Sequence, residues 1–493
     1  MVASKPNIIF IMADDHAAKA ISCYGHGINN TPNLDRIAKE GVRLDHCYVT
    51  NSICTPSRAT ILTGVHNHLN LVHTLASKID TRYPNVANHI RAYGGYTTGI
   101  FGKWHLGEGK DHEPSGFDDW AVLRNHGTYF DPEFITPEGS AWESGYTTDI
   151  VTDKTIEFMA EAKSAGKPFL VMSHHKAPHA PWDPHPRYEH LYREQIKVPD
   201  TFDDDYKNRA QAAAAANMRI KINMTYANLG LVQPPYGDLQ GVGKRRNIGP
   251  GASGEAGHRI IPFPDDPSTM APLVDAVTGE KFTFKTQHEL GRFKYQRFMQ
   301  RYLRCVQAID DNVGRILDWL DKEGLADNTL ICYTSDQGYF LGEHGWYDKR
   351  FLYEESFQMP FLARGPDIPP GRFLANLRGT APPQSPDQVA YHRYWMHKDG
   401  NNNAYAHYGI RDKRWKLIFW YNMGYNIPGA NRGGEDQEWE LFDCDNDPME
   451  LFNLWEKDKS EGKNGAPPLA EVRERMVRLL EAKMAETWKR WRG

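Results

Sequence analysis

The chain of 493 residues has few cysteines, no long apolar runs and no marked excess of either charge. Its six cysteines (Cys23, Cys47, Cys54, Cys305, Cys332 and Cys444) lie far apart, with no Cys-x-x-Cys pair. That excludes a disulfide scaffold and a zinc knuckle. No apolar stretch reaches the roughly 20 residues that a membrane-spanning helix needs. No apolar signal region stands before the first strand, which follows directly on Met1-Val2-Ala3-Ser4-Lys5-Pro6. The chain therefore reads as soluble and cytoplasmic, or as periplasmic or secreted if a leader has been removed. A net charge of -5 gives no ground for a nucleic-acid or anionic-membrane partner. The one compact basic run, Lys244-Arg245-Arg246, reads as a solvated loop.

What is present is an ordinary globular composition, 40% hydrophobic and 25% charged, on a length that fits one large domain and a smaller one. Continuous apolar runs punctuated by polar clusters point to an α/β core with a mostly parallel sheet. Asn7–Ala13 is such a run and ends in Asp14-Asp15-His16. Tyr96–Phe101 ends in Gly102-Lys103-Trp104-His105, where extended backbone would aim Lys103 and His105 to one side. Lys167–Ser173 runs into His174-His175-Lys176-Ala177-Pro178-His179, a three-histidine cluster whose spacing alone suits zinc. Leu330–Thr334 ends in Ser335-Asp336-Gln337-Gly338. Strand C-termini are where open α/β sheets bind ligands. Asp14, Asp15, Asp336 and Gln337 supply four hard oxygen donors, which favour Ca²⁺, with Mg²⁺ as second choice, over zinc.

Between these strands, Thr31–Gly41 reads as a capped helix. The spacing of Tyr295, Phe298, Tyr302, Val306, Ile309, Val313, Ile316 and Leu320 predicts a long amphipathic helix over the sheet, with Asp310-Asp311 on its solvated face. Residues 200–285 read as irregular surface excursions, including Ala212–Ala216. A smaller C-terminal unit follows over 380–493. It has an antiparallel pair (Tyr408–Arg411 and Trp415–Tyr421), a further strand at Trp439–Asp443 and a closing helix through Leu469, Val472, Met476, Leu479 and Leu480.

The most specific stretch is Asn51-Ser52-Ile53-Cys54-Thr55-Pro56-Ser57-Arg58-Ala59-Thr60-Ile61-Leu62-Thr63-Gly64. Pro56 suits the first helical position and Gly64 the stop. Cys54 then sits at a helix N-terminus, where free N–H groups and the dipole favour an anion, and Arg58 can reach the same anion from one turn in. The bland alternative is a buried structural cysteine beside a surface arginine.

This Cys-x-Pro-Ser-Arg run, with Gly102-Lys103-Trp104-His105-Leu106-Gly107 as a second match, resembles the formylglycine-dependent sulfatases of the alkaline phosphatase superfamily, over nearly the whole chain. Bacterial carbohydrate sulfatases akin to N-acetylglucosamine-6-sulfatase and iduronate-2-sulfatase are the most similar. The resemblance implies an alkaline-phosphatase-like catalytic domain over 1–370 and an α+β subdomain behind it. It implies a maturation enzyme that oxidises Cys54 to Cα-formylglycine, whose hydrate attacks the sulfur of a carbohydrate or aryl sulfate. It also implies a Ca²⁺ or Mg²⁺ ion on Asp14, Asp15, Asp336 and Gln337, although the family more often has Asn at the last position. Arg58, Lys103 and Lys349 would offset charge on the transferring group, His179 would assist the leaving oxygen and His105 would act as base, with His174 and His175 in supporting places. Trp182, Trp346 and Tyr347 are sugar platforms or core aromatics. The chain departs from the family after Pro366, where a few dozen residues are missing near 371–380. That departure keeps a non-catalytic sulfated-sugar binder in play, beside a phosphonate monoester or phosphodiester hydrolase of the same superfamily.

Overall fold

The structure is a computed structural model describing residues 5–232, 259–368, 388–456 and 468–489. The proposed gap near 371–380, the boundary between the two units and the Lys244-Arg245-Arg246 run lie outside these residues. Among the described residues no helix is long and apolar enough to cross a membrane.

Nine strands form the main sheet: β1 (Asn7–Ala13), β2 (Val42–Leu44), β3 (Thr97–Lys103), β4 (Asp119–Leu123), β5 (Glu133–Thr136), β6 (Gly139–Trp142), β7 (Phe169–His174), β8 (Thr329–Ser335) and β9 (Phe361–Arg364). Their order is β2-β9-β8-β1-β7-β3-β4-β5-β6. The central β8, β1, β7, β3 and β4 run parallel, and the flanking strands are antiparallel. Parallel strands are buried on both faces, which is why β1, β7 and β8 read as apolar runs rather than alternations. One face packs under helices α3 (Thr147–Ser164) and α4 (Gln287–Lys322), where Phe298, Tyr302, Ile309, Val313 and Ile316 meet Ile9, Val171 and Ile331. The other carries α2 (Cys54–Thr63), whose Ala59 and Leu62 pack on Ile100, Leu170 and Met172.

Two local readings need correction. Asp310 is not on a solvated face of α4: it is fully buried and accepts from the N–H groups of Asn33 (3.1 Å) and Leu34 (2.9 Å). It thereby satisfies the first free donors of α1 (Pro32–Glu40), the work expected of Thr31, whose hydroxyl instead accepts from Ser22 N. Its neighbour Asp311 is exposed, as the spacing suggests. The alanine run is no surface excursion either. Ala212, Ala213 and Ala216 are buried against Tyr394, Trp420 and Phe442 in a cluster with Phe351 and Tyr353. Small side chains let this segment fit between the two sheets, and polarity-based reading sees only an interruption.

The second sheet is antiparallel in the order β10 (Ala390–Tyr394), β11 (His407–Arg411), β12 (Trp415–Trp420) and β13 (Glu438–Asp443). Its outer face is covered by α5 (Leu469–Lys489) through Val472, Met476, Leu479 and Leu480. Its inner face meets the main body through the cluster just described.

Candidate active site

The C-terminal edge of the parallel strands gathers the singled-out residues. The register pairs Ala13 with Ser335, so Asp14-Asp15 and Asp336-Gln337 leave adjacent strands side by side. Asp15 N donates to Asp336 Oδ1 at 3.2 Å. β3 delivers Lys103 past Gly102, which has φ +101° and lies so close to the His174 carbonyl that any Cβ would collide with it. The chain then turns: His105 has φ +57°, so the extended geometry that would align it with Lys103 is absent. His105 reaches the site from a left-handed turn, with Nδ1 3.3 Å from Thr55 Oγ1. α2 begins at Cys54 itself, two residues before the Pro56 start read from sequence, and ends at Gly64 with φ +71°.

The ion pairs are dense. The Lys103 ammonium is bonded to Asp14, and Lys349 holds both oxygens of Asp15. Arg58 donates from Nε to Asp336 Oδ2 (2.9 Å) and from Nη1 to the Lys103 carbonyl (2.8 Å). His179 Nε2 lies 3.7 Å from Asp15 Oδ2. Asp14, Cys54 and Asp336 each offer one ligand atom within 4.8 Å of the others. Sequence reasoning missed His126, which stands 3.1 Å from Lys103 Nζ with its ring 4.0 Å from His105 and 4.7 Å from His179. The available signal was the short apolar run Trp120–Leu123. As β4, parallel to β3, it opens its following loop onto the same sheet edge.

Electrostatics divides the groups. Burial would raise all three carboxylates, but the Lys103 ammonium, with the Arg58 and Lys349 cations, holds Asp14 well below the usual range. Burial outweighs Lys349 at Asp15, which rises to about 6, and together with the charge of Asp14 takes Asp336 to about 7. Burial and the nearby Lys103 keep His105, His179 and His126 neutral. Burial pushes the Cys54 thiol up to about 12, so as a thiol it is a poor nucleophile.

This donor set fits a hard divalent cation. Asp14 Oδ1 and Gln337 Oε1 are buried with no hydrogen-bond partner, and Gln337 Nε2 sits between the carboxylates of Asp15 and Asp336. Buried polar atoms left unpaired beside two carboxylates that burial pushes up favour a positive charge there. Zinc held by the three histidines of 174–179 does not fit. His174 backs onto the Lys103 carbonyl, and among the described residues only His179 of the three belongs to a group of ligand atoms spaced for a metal. Asp14, His126 and His179 are close enough for a metal, yet the Lys103 ammonium already bridges Asp14 and His126. Trp182 and Trp346 are fully buried, and Tyr347 is 9% exposed. Trp182 packs on Phe298 and Trp346 stacks on Tyr206, which settles these three as core aromatics rather than sugar platforms.

The chain resembles known proteins over nearly its whole length. Residues 6–392 match the Sulfatase family, and residues 371–478 match the family described as N-sulphoglucosamine sulphohydrolase, C-terminal. An N-acetylglucosamine-6-O-sulfatase of Bacteroides thetaiotaomicron is 34% identical over 97% of this chain and 86% of its own length. A solved structure of a protein in complex with its substrate D-glucosamine-2-N,6-O-disulfate superposes with a TM-score of 0.78 at 32% identity, covering 98% of both chains. The phosphonate monoester hydrolase of Agrobacterium radiobacter shares the fold, with a TM-score of 0.64 at 18% identity, 98% of this chain and 96% of that one being covered. A family match over most of the chain, and a relative this similar along nearly its whole length, make the chain a member of the sulfatase family.

Proposed function

We propose that the protein hydrolyses the 6-O-sulfate ester of a glucosamine-type sugar to the free alcohol and inorganic sulfate. The observation that carries the reaction is the placement of Cys54, at the first turn of α2, between three buried carboxylates and the cations Arg58, Lys103 and Lys349. The sugar is supported by the two relatives above, one named for N-acetylglucosamine 6-O-sulfate and one solved with a glucosamine disulfate. Asp14, Asp15, Asp336 and Gln337 would hold Ca²⁺ or Mg²⁺, which when bound supplies Lewis acidity toward a sulfate oxygen. Oxidised to formylglycine by a maturation enzyme and hydrated, Cys54 would supply one hydroxyl to attack sulfur and displace the sugar oxygen, and a second whose deprotonation re-forms the C=O as the C–O bond to sulfate breaks and sulfate leaves.

The chain's own residues do the rest. The free N–H groups of α2 and the Arg58 guanidinium face an incoming anion, and Lys103 and Lys349 balance charge that grows on the transferring group. His105, held neutral by burial, is ready to take a proton without first losing one. His179 is neutral in the free site as well, so the negative charge of the bound ester must lift its proton affinity before it can donate to the departing oxygen.

The test is sulfate release from glucosamine 6-sulfate, with and without an N-sulfate, against an aryl phosphodiester control. Sulfate release that disappears in Cys54→Ala is expected. Preferred cleavage of the phosphodiester would place the protein among phosphonate and phosphodiester hydrolases instead, and binding without turnover would make it a sulfated-sugar receptor.

A further inference from the structure

We infer that Asn402, from the C-terminal subdomain, is a positioning residue for Lys349. The inference rests on the reading of Lys349 as a group that faces the sulfate.

Lys349 lies in a turn that few residues would adopt unaided. Its neighbours Asp348 and Arg350 have φ of +78° and +110°, and neither is glycine. Such backbone persists where the surroundings hold it. Three donors converge on Asp348. Its Oδ1 accepts from Lys349 N at 2.9 Å and from Arg350 Nη1 at 2.7 Å, and its Oδ2 accepts from Asn402 Nδ2 at 2.9 Å. The first two bonds are internal to the turn and would travel with it. The third ties the turn to the other sheet. Because an ionised carboxylate only accepts, the amide nitrogen of Asn402 must face it.

Asn402 is itself firmly held. It is 4% exposed, its N–H donates to Asp399 Oδ1 at 3.0 Å and its carbonyl accepts from Asn217 N at 2.7 Å. Asp399 also accepts from the Tyr394 hydroxyl of β10 at 3.1 Å, and its Oδ2 lies 3.6 Å from Arg350 Nε. A line of contacts thus runs from β10 through Asp399 and Asn402 to Asp348, and from there to the lysine whose ammonium caps Asp15. With the Asn402 donor gone, the Asp348 carboxylate keeps only its bonds within the turn, and of the turn's ties to the second sheet only the Arg350–Asp399 contact remains, which lets the turn shift. The Lys349 ammonium, at the end of a long side chain, is displaced from its place over Asp15.

Asn402→Asp keeps the shape of the side chain and removes the donor, and Asn402→Ala removes both. Each is made alone and together with Lys349→Met, with melting temperature recorded as a control on folding. The expected result is a fall in kcat of between about tenfold and a hundredfold for either Asn402 variant. In the Lys349→Met background the same change should cost nothing further, because residues that act through one group are not additive. Inorganic sulfate binding, followed by calorimetry, gives the same cycle without turnover. Weaker sulfate binding in Asn402→Asp that vanishes in the double variant supports the inference. Losses that multiply in the double variant, by either readout, overturn it. So does full sulfate affinity in both Asn402 variants. Absence of sulfate ester turnover in the wild type would instead overturn the sulfatase reading, and the calorimetric cycle would still decide the role of Asn402.

Discussion

Charge is buried in two places in this molecule, and the two are built differently. At the seam between the sheets, Lys416 is fully buried and pairs with Glu354 at 2.9 Å and Glu450 at 2.6 Å, while Arg411 adds a second cation to Glu354 at 3.0 Å. Lys416 and Arg411 together overcome burial and hold Glu354 down at about 2. At the sheet edge three carboxylates also meet three cations, yet Asp15 and Asp336 are pushed up and two oxygens stay unpaired. The seam leaves one acid raised, Glu450 beside Glu354, whereas the edge raises two of three, Asp15 and Asp336, beside a lowered Asp14. An array that joins two sheets gains from closing its charges. The edge, which on the proposed function accepts a metal and a sulfate, keeps some of them open, at the cost of carboxylates that resist ionising.

Changes on the two sides of this contrast should separate activity from stability. Cys54→Ala is expected to lower sulfate release by about ten-thousandfold or more while leaving the melting temperature nearly unchanged, because the side chain makes no ion pair. Asp336→Asn removes one of the crowded acids. If the proposed site binds Ca²⁺, the ion should raise the melting temperature of the wild type and not of this variant, which also starts lower without the ion because the buried Arg58 loses its partner, as a thermal scan with and without the ion would show. Lys416→Met acts in reverse: Glu354 and Glu450 lose a shared partner, and unfolding in denaturant should show a loss of about 3–5 kcal/mol.

A third carboxylate sharpens the comparison through pH. Glu440, buried in β13, accepts from Ala210 N and Trp420 Nε1, but burial outweighs these bonds and raises it to about 7. Between its ordinary value of 4.5 and about 7 the folded state binds the proton and the unfolded state does not, so stability falls as pH rises through that window. Glu354, held low, gives the opposite trend: its contribution is present above 4.5 and fades as pH falls toward about 2. Glu440→Gln should therefore gain in melting temperature relative to the wild type as pH rises from 4.5 to about 7, although the buried histidines, held neutral, tilt both profiles the other way. A difference between the two that stays constant across this window would overturn the role given to Glu440. The smallest effect is expected at Asp310→Ala, which uncaps α1 at a cost of about 1–2 kcal/mol with turnover retained.

Much of this was legible in the residues. Apolar runs ending in acids located β1 and β8, and the period of α4 was unmistakable because an apolar stripe holds over nearly ten turns of a 36-residue helix. The site was legible wherever chemistry sits within a few positions of a strand or helix end, as with Asp14-Asp15 and Cys54–Arg58. What escaped depends on distance. Asp310 looks like any surface acid until α1 is laid against it, 276 residues away in sequence. His126 looks like a loop histidine until β4 is known to lie beside β3. The extended path from Lys103 to His105 was wrong because nothing in Gly102-Lys103-Trp104-His105 declares a left-handed histidine. The aromatics of the motifs were open to either role, since a buried tryptophan and a sugar platform have the same composition and differ only in which side of the wall they occupy.

The pairing of β1 with β8 also sets a clock. Arg58 waits for Asp336, 278 residues later in the chain, before its ion pair can form. At roughly 5–20 residues per second, that is some tens of seconds of synthesis. Throughout that interval Cys54, 1% exposed in the finished fold, has no wall around it. An enzyme that oxidises this thiol would meet a free peptide while the chain is still being made, and a closed helix afterwards.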